Sequence, residues 1–209
     1  MPSLLERLNR FFDVPLTLRS RIAVLVAALL LVPTYLLPLY TMTLYSNQFP
    51  DGLNLYIYSY RLDGGRPEGR DDLREINTLN HYIGMRPLLE SDFSEFSWLP
   101  LVIGVFFILA LRAIVIGKMS SLVDIVVLFA YFGLFSLWSF YNRLYEYGHN
   151  LDPEAAVKVP PFMPPLIGSK QIANFTVYNL PGAASYLMVG AVLLMLIAVF
   201  LSAKQARPQ

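Results

Sequence analysis

The chain has 209 residues, of which 56% are hydrophobic and 15% are charged, and its formal net charge is +1. Soluble domains carry about 25% charged residues, so the composition indicates a membrane protein, without the basic excess that nucleic-acid binding requires. The chain contains no cysteine, which excludes disulfides, thiolate metal ligands, iron–sulfur clusters and c-type haem attachment.

The N-terminal segment 1–20 interleaves leucine and phenylalanine with arginine, up to Pro15. This pattern predicts a short amphipathic helix that lies on the inner membrane surface. A polar flank that only sets the topology explains the same residues equally well.

Four segments have close to the ~20 apolar residues that cross a bilayer. They are about 22–44, 98–116, 122–141 and 186–202. The first is too long for a secretory signal and lacks a small-x-small cleavage site, so we interpret it as an uncleaved anchor. Pro33 and Pro38 predict kinks within it.

The basic residues indicate the orientation. Those that flank the spans on the predicted cytoplasmic side are Arg7, Arg10, Arg19, Arg21, Arg112, Lys118, Lys204 and Arg207. The positive-inside rule then predicts that both termini are cytoplasmic and that the loops 45–96 and 142–184 lie outside. In a bacterium the protein would be a multi-pass protein of the cytoplasmic (inner) membrane, with two long periplasmic loops.

The two long loops show local patterns of their own. Residues 53–62 alternate with period two and favour a strand. Residues 71–85 predict a short surface helix capped by Asp71 or Asp72 and ended near Gly84. The proline-rich run 159–168 predicts an extended, polyproline-like segment, and we expect the 71–85 helix to pack against 159–182. The predicted fold is an all-α integral membrane protein that forms a single membrane domain over 1–209.

Histidine and methionine are the residues that suggest a metal site. His81 and Met85 stand four apart on the predicted helix and share one face, and His149 and Met163 lie in the second loop. Thioether sulfur selects Cu(I), and imidazole accepts either oxidation state of copper. The four residues therefore form a candidate copper site, whereas a packed histidine or a docking contact would explain His81 equally simply.

The sequence contains little that would support an enzymatic function. The sequence has no GxSxG, HExxH or P-loop motif, and its two histidines cannot supply the four axial ligands of a two-haem b-type cytochrome. We therefore expect no catalytic residues. A repeat-built transporter is disfavoured, because there are four spans and Asp124 is the one acid within them.

Two motifs carry a resemblance to a known group of proteins. EINTLNHYIGM in the first loop and PPLIGSKQIANFTVYNLPG in the second resemble small multi-span bacterial membrane proteins associated with nitrous-oxide-reductase gene clusters and copper-handling accessory proteins. The resemblance implies a non-catalytic, periplasm-facing accessory role in the maturation of a copper enzyme. It gives most weight to His81 and Met85, with Asn80 and Gly84 shaping the helix.

A second class of function fits the composition as well. The 13 tyrosines and 14 phenylalanines suit docking on other proteins, since aromatic residues are enriched at interfaces. The chain would then be a structural or accessory subunit of a larger respiratory or photosynthetic membrane complex. Its partners would be the lipid bilayer and other membrane or periplasmic proteins.

Overall fold

The computed structural model describes residues 3–172 and 174–205. Its helices are α1 (Leu4–Phe12), α2 (Leu18–Leu31), α3 (Asp72–Tyr82), α4 (Glu95–Ile116), α5 (Met119–His149) and α6 (Ala183–Gln205). Its strands are β1 (Tyr40–Tyr45), β2 (Leu53–Ile57), β3 (Leu62–Gly64), β4 (Gly168–Ile172) and β5 (Phe175–Pro181). Short 3-10 turns occur at Pro33–Tyr35, Pro67–Gly69 and Glu90–Asp92.

Four helical segments in the described part of the chain are long and apolar enough to cross a membrane: Leu18–Tyr35, Glu95–Ile116, Met119–His149 and Ala183–Gln205. α2 packs closely against α6 and also contacts α4, while α5 contacts both α4 and α6. The buried positions of α6 are small or flexible and recur at intervals of seven, four, three and four residues: Ala184, Ala191, Met195, Ala198 and Ser202. Small residues at this spacing let two membrane helices approach closely.

One end of the bundle is closed by a backbone contact between distant segments. The N–H of Leu16 donates to the Gly117 carbonyl at 2.7 Å, and the N–H of Met119 donates to the Val14 carbonyl at 2.9 Å. Lys118 lies 3.5 Å from Asp13 in an exposed ion pair. The segment after α1 and the α4–α5 turn therefore lie together at this end.

The other end of the bundle carries a five-stranded antiparallel sheet of order β3-β2-β1-β5-β4. We name the sheet, α3 and their connecting segments (36–94 and 150–182) the sheet unit. Its two central strands continue the two closest helices, since β1 follows α2 and β5 leads into α6. The N–H of Gly182 donates to the Leu39 carbonyl at 2.7 Å and that of Ala184 to the Pro38 carbonyl at 3.0 Å. The antiparallel helix pair thus passes directly into an antiparallel strand pair.

One face of the sheet is covered by α3 and the proline-rich segment. Ile76 of α3 is buried in a cluster with Leu53, Leu55, Ile172 and Val177, and Phe162 packs against the cluster's edge. Burial of apolar surface of this kind contributes about 25 cal/mol per Å². α3 packs mainly on β2 and β3. The contact with 159–182 predicted from its apolar stripe is present in part, since Ile76 shares this cluster with Ile172 and Val177.

A buried carboxylate joins α3 to the sheet. Asp72 is fully buried and accepts hydrogen bonds from the Asn54 N–H at 2.9 Å and from Arg70 Nε at 2.7 Å. Asp71 caps α3 by accepting from the Arg74 N–H, and Gly84 follows the helix with φ +77°, as the sequence predicts. Charge neutralisation by Arg70 is what makes the burial of Asp72 tolerable.

The prediction of an all-α protein is wrong, because the chain contains the five-stranded sheet. The strand predicted over 53–62 is present only as far as Ile57, since β2 ends there and β3 begins at Leu62 after a turn. β1, however, lies at 40–45, inside the first predicted span of 22–44. α2 stops at Leu31 because prolines follow at 33 and 38, and the Thr- and Tyr-rich residues after them favour extended structure.

Other boundaries also differ from those expected. α4 and α6 cover the predicted spans 98–116 and 186–202. α5 continues past 141 to His149, so the second loop begins as helix. Its 31 residues extend for about 46 Å at 1.5 Å each, whereas the hydrocarbon core is about 30 Å thick. The amphipathic helix predicted over 1–20 is confined to Leu4–Phe12, and residues 1 and 2 lie outside the described part.

Candidate interaction surface of the sheet unit

The sheet face opposite α3 is exposed, and we name it the open face. The register of the strands places these residues on it: Thr41, Thr43, Tyr45, Asn54, Tyr56, Asp63, Ser169, Gln171, Thr176, Tyr178 and Leu180. Each alternates along its strand with a residue of the opposite face, as the pleat requires. The open face is therefore built from tyrosine, threonine and short polar side chains, with one leucine.

An aromatic pair stands on the two adjacent inner strands β1 and β5 of the open face. The rings of Tyr45 and Tyr178 meet edge to face with centroids 5.6 Å apart, and they are 39% and 47% exposed. Leu180 is 52% exposed two residues further along β5. Tyrosine offers a rigid apolar ring together with a hydroxyl, which suits contact with another protein.

The open face has short polar links but few charges. Thr43 Oγ1 donates to the Asn54 side-chain oxygen at 2.9 Å, and Thr41 Oγ1 donates to the Leu180 carbonyl at 3.3 Å. Asp63 at the edge strand is paired with Arg61 at 3.0 Å. Depletion of charge in a central aromatic patch, with charges at the rim, is the arrangement found in protein interfaces.

The covered face of the sheet is fixed in part by two buried polar groups. The Tyr40 hydroxyl donates to the Leu166 carbonyl at 2.6 Å, and Asn179 Nδ2 donates to the Pro165 carbonyl at 2.6 Å. Burial raises the pKa of the Tyr40 phenol, and a hydrogen bond with Asn179 opposes that rise only in part. The phenol stays protonated and holds the proline-rich segment on the sheet.

A charged cluster joins α4 and α5 beneath the sheet unit. Glu95 accepts from Ser139 Oγ at 2.8 Å and from Arg143 at 3.2 Å. Arg86, which follows α3, lies 3.3 Å from Glu146. This cluster was not predicted from the sequence, because α5 extends to His149 and carries Arg143 and Glu146 past the predicted span.

His81 and Met85 occupy different environments. His81 is exposed on α3, and its nearest ring contact is Tyr82, with centroids 6.5 Å apart. Met85 is half-buried and lines a small apolar cavity with Phe162 and Pro164. The helix ends at Tyr82, so the shared helical face expected for His81 and Met85 is interrupted before Met85.

His149 is the last residue of α5, and Met163 lies in the proline-rich segment. The His149 ring stacks on Tyr145 with centroids 3.7 Å apart, and its Nδ1 is 3.0 Å from the Tyr145 carbonyl oxygen, to which it donates. The half-buried Met163 accepts a hydrogen bond from Lys170 Nζ through its carbonyl.

Backbone hydrogen bonds bring together the segments that carry Met85, His149 and Met163. The N–H of Phe162 donates to the Gly148 carbonyl at 3.0 Å, and that of Asp152 donates to the Gly84 carbonyl at 2.8 Å. Residues 84–85, 148–152 and 162–163 therefore meet at one corner of the sheet unit. The described residues contain no group of three or more His, Asp or Glu side chains that could hold a metal ion.

The fold defines a class: a multi-helix protein with four helices long and apolar enough to span a membrane and an antiparallel sheet at one end of their bundle. No protein-family model, no curated protein and no solved structure matches this chain. A function is therefore inferred from the surfaces of the chain itself. The resemblance to proteins associated with nitrous-oxide-reductase gene clusters stays a prediction.

Proposed function

We propose that the protein is a non-catalytic accessory protein of the bacterial cytoplasmic membrane. The sheet unit would lie on the periplasmic side and bind another membrane or periplasmic protein through the open face. The observation that carries this proposal is the exposed Tyr45–Tyr178 pair on two adjacent inner strands of a sheet whose other face packs against α3. A larger respiratory or photosynthetic complex is the setting that such a subunit would suit.

The architecture supports a docking role in a second way. The strands β1 and β5 that display Tyr45 and Tyr178 are also the strands that continue α2 and α6. A partner bound at the open face would therefore be held by the rigid centre of the molecule and not by a mobile loop. Rigid presentation reduces the ordering cost of association.

The test is site-specific photo-crosslinking in native membranes. A photoreactive amino acid at Tyr178 should give one dominant adduct, identified by mass spectrometry, and the double variant Tyr45→Ser/Tyr178→Ser should lose the same protein on purification. The matched control is Tyr131→Ser, which removes an exposed tyrosine from α5 (71% exposed). If the double variant retains every co-purifying protein, docking through the open face is excluded.

Copper handling is the second candidate, and the environment of His149 favours it. Histidine ligands usually donate one ring N–H to a carbonyl and bind metal through the other nitrogen, and Nδ1 of His149 donates to Tyr145 in this way. Met85 and Met163 lie on the segments that meet beside it, and His81 is on the helix below. A His and Met site would prefer Cu(I) and bind little zinc.

Cu(I) binding by the purified protein under reducing conditions tests this candidate. His149→Ala and His81→Ala should each lower the bound copper, while the protein should still insert in the membrane. Met188→Leu, within α6, is the matched control for loss of a methionine. Absence of Cu(I) binding by the unaltered protein would contradict copper handling and leave the docking role untouched.

A further inference from the structure

A cleft of about 380 Å³ opens between α3, the β1–β2 connection and the start of β5. Its polar lining includes Gln48, Glu75 and Thr78, and its aromatic lining includes Phe49, Tyr82 and Phe175. None of these residues belongs to the open face. The cleft is therefore a separate feature of the sheet unit and does not depend on the proposed docking role.

Glu75 is the one charged residue among those that line the cleft. It is half-buried, and no side chain in the described part of the chain donates a hydrogen bond to its carboxylate or forms an ion pair with it. The nearby Arg70 is already engaged, since its guanidinium binds Asp72. Removing a carboxylate from water without a partner costs free energy, so a cation that enters the cleft would be favoured.

Two of the three aromatic rings in the lining, those of Tyr82 and Phe175, add to the attraction for a cation. A positive group is stabilised by the electron-rich face of a ring within about 6 Å of its centroid. Phe49 shows that this contact occurs here, because the Arg70 guanidinium lies 5.3 Å from the ring centroid. Tyr82 is 53% exposed and so is open to an incoming group.

The polar lining distinguishes between kinds of cation. The side chains of Gln48 and Thr78, which line the same cleft as Glu75, offer oxygen acceptors. A primary ammonium carries three N–H donors, whereas a quaternary ammonium has none. A four-carbon apolar stem would lie along Leu79 and Ile83, which also line the cleft.

We propose that this cleft binds a primary alkylammonium group, namely a lysine side chain presented by a partner protein. Glu75 neutralises the ammonium, Thr78 and Gln48 accept its remaining hydrogen bonds, and the rings of Tyr82 and Phe175 pack on the stem and the charge.

The test uses the purified full chain in nanodiscs and ligand-detected NMR with three probes of equal chain length. n-Butylammonium should bind, while n-butyltrimethylammonium and uncharged 1-butanol should bind at least about tenfold more weakly, as expected for loss of charge-assisted hydrogen bonds. The tripeptide acetyl-Gly-Lys-Gly-amide should bind at least as well as n-butylammonium, because its backbone adds contacts at the mouth of the cleft.

Two variants and one control connect the binding to the cleft. Glu75→Gln keeps the shape of the side chain and should weaken n-butylammonium binding about tenfold. Tyr82→Leu keeps an apolar side chain without a ring and should weaken it about threefold. Glu154→Gln removes an exposed carboxylate elsewhere in the sheet unit and should leave binding unchanged.

Equal binding of n-butylammonium to the unaltered chain and to a folded Glu75→Gln variant would overturn the proposal. Tighter binding of the trimethylammonium probe would also overturn it, because that probe has no N–H group to donate to the hydrogen-bond acceptors. A tripeptide that fails to bind while n-butylammonium succeeds would overturn the assignment to a protein partner.

Discussion

The side-chain hydroxyl of Ser202 donates a hydrogen bond to that of Ser20 across a distance of 2.7 Å, although the two residues are 182 positions apart in the chain. Ser20 in turn donates to the Ala198 carbonyl at 2.8 Å, and Ser202 accepts from the Thr17 N–H at 3.1 Å. This buried polar link holds the start of α2 against the end of α6. The first and last spanning helices are thus joined by polar bonds as well as by the closest packing in the bundle.

The close approach of these two helices predicts sensitivity to side-chain size. Ala191→Leu introduces three carbon atoms at a fully buried position, and overpacking of this kind costs about 1–3 kcal/mol. Val189→Leu, at a 58% exposed position of the same helix, is the control and should be close to neutral. Thermal unfolding in detergent measures both, and equal transition temperatures would contradict the tight α2–α6 packing.

Gly182 should tolerate no side chain at the passage from sheet to bundle. A Cβ at this position would overlap the Pro38 carbonyl oxygen, whereas a Cβ at Gly133 in α5 would meet nothing within 4 Å. We expect Gly182→Ala to destabilise the protein by about 1–3 kcal/mol and Gly133→Ala to be neutral or slightly stabilising. Denaturant unfolding followed by circular dichroism separates these outcomes, and a harmless Gly182→Ala would show that the strand pair can shift away from Pro38.

The buried Asp72 should be essential for the stability of the sheet unit. Asp72→Asn leaves Arg70, whose side chain is 30% exposed, without its charge partner, and loss of a hydrogen bond between charged groups costs about 1.5–3 kcal/mol. Asp63→Asn, which removes a partly exposed partner of Arg61, should cost at most about 1 kcal/mol. Limited proteolysis of the sheet unit under native conditions reports the difference. Similar cleavage rates for the two variants would mean that Asp72 is not the link between α3 and β2.

The sidedness of the protein can be measured because the chain has no native cysteine. Asn9→Cys lies on α1 and Ser169→Cys on β4, both at exposed positions. We expect a membrane-impermeant maleimide to label the cysteine at 169 in intact spheroplasts and that at 9 only after lysis. The opposite pattern would place the sheet unit in the cytoplasm and contradict the orientation drawn from the basic residues.

The helix α1 should lie in the cytoplasmic headgroup layer. Leu4 and Leu5 are 74% and 72% exposed, and no residue of the helix is buried. Phe11 packs against the bundle, whereas the leucines of the stripe face away from it. A fluorophore on Leu8→Cys should be quenched by brominated lipids, and one on Arg10→Cys, on the opposite side, should not. Equal quenching at both sites would mean that α1 is not laid along the membrane by its leucine stripe.

Much of the membrane part follows from local sequence, because burial in a bilayer demands long apolar runs that can be recognised one at a time. The same holds for α3, since Asp71, the apolar stripe and Gly84 act over neighbouring residues. β2 was also visible as an alternation between positions 53 and 57.

The sheet and its open face depended on tertiary structure. β1 and β5 pair across more than 130 residues, and no local pattern states which strands will meet. The alternation in TMTLY and FTVYNL was a usable signal, but the apolar run before 40 concealed the first of these strands inside a predicted span. The grouping of Glu75 with Phe49, Tyr82 and Phe175 likewise came only from folding, which brings together residues from three separate elements. Composition and periodicity determine which segments are helices or strands, whereas the surfaces that could bind a partner arise from pairings between segments that are remote in sequence.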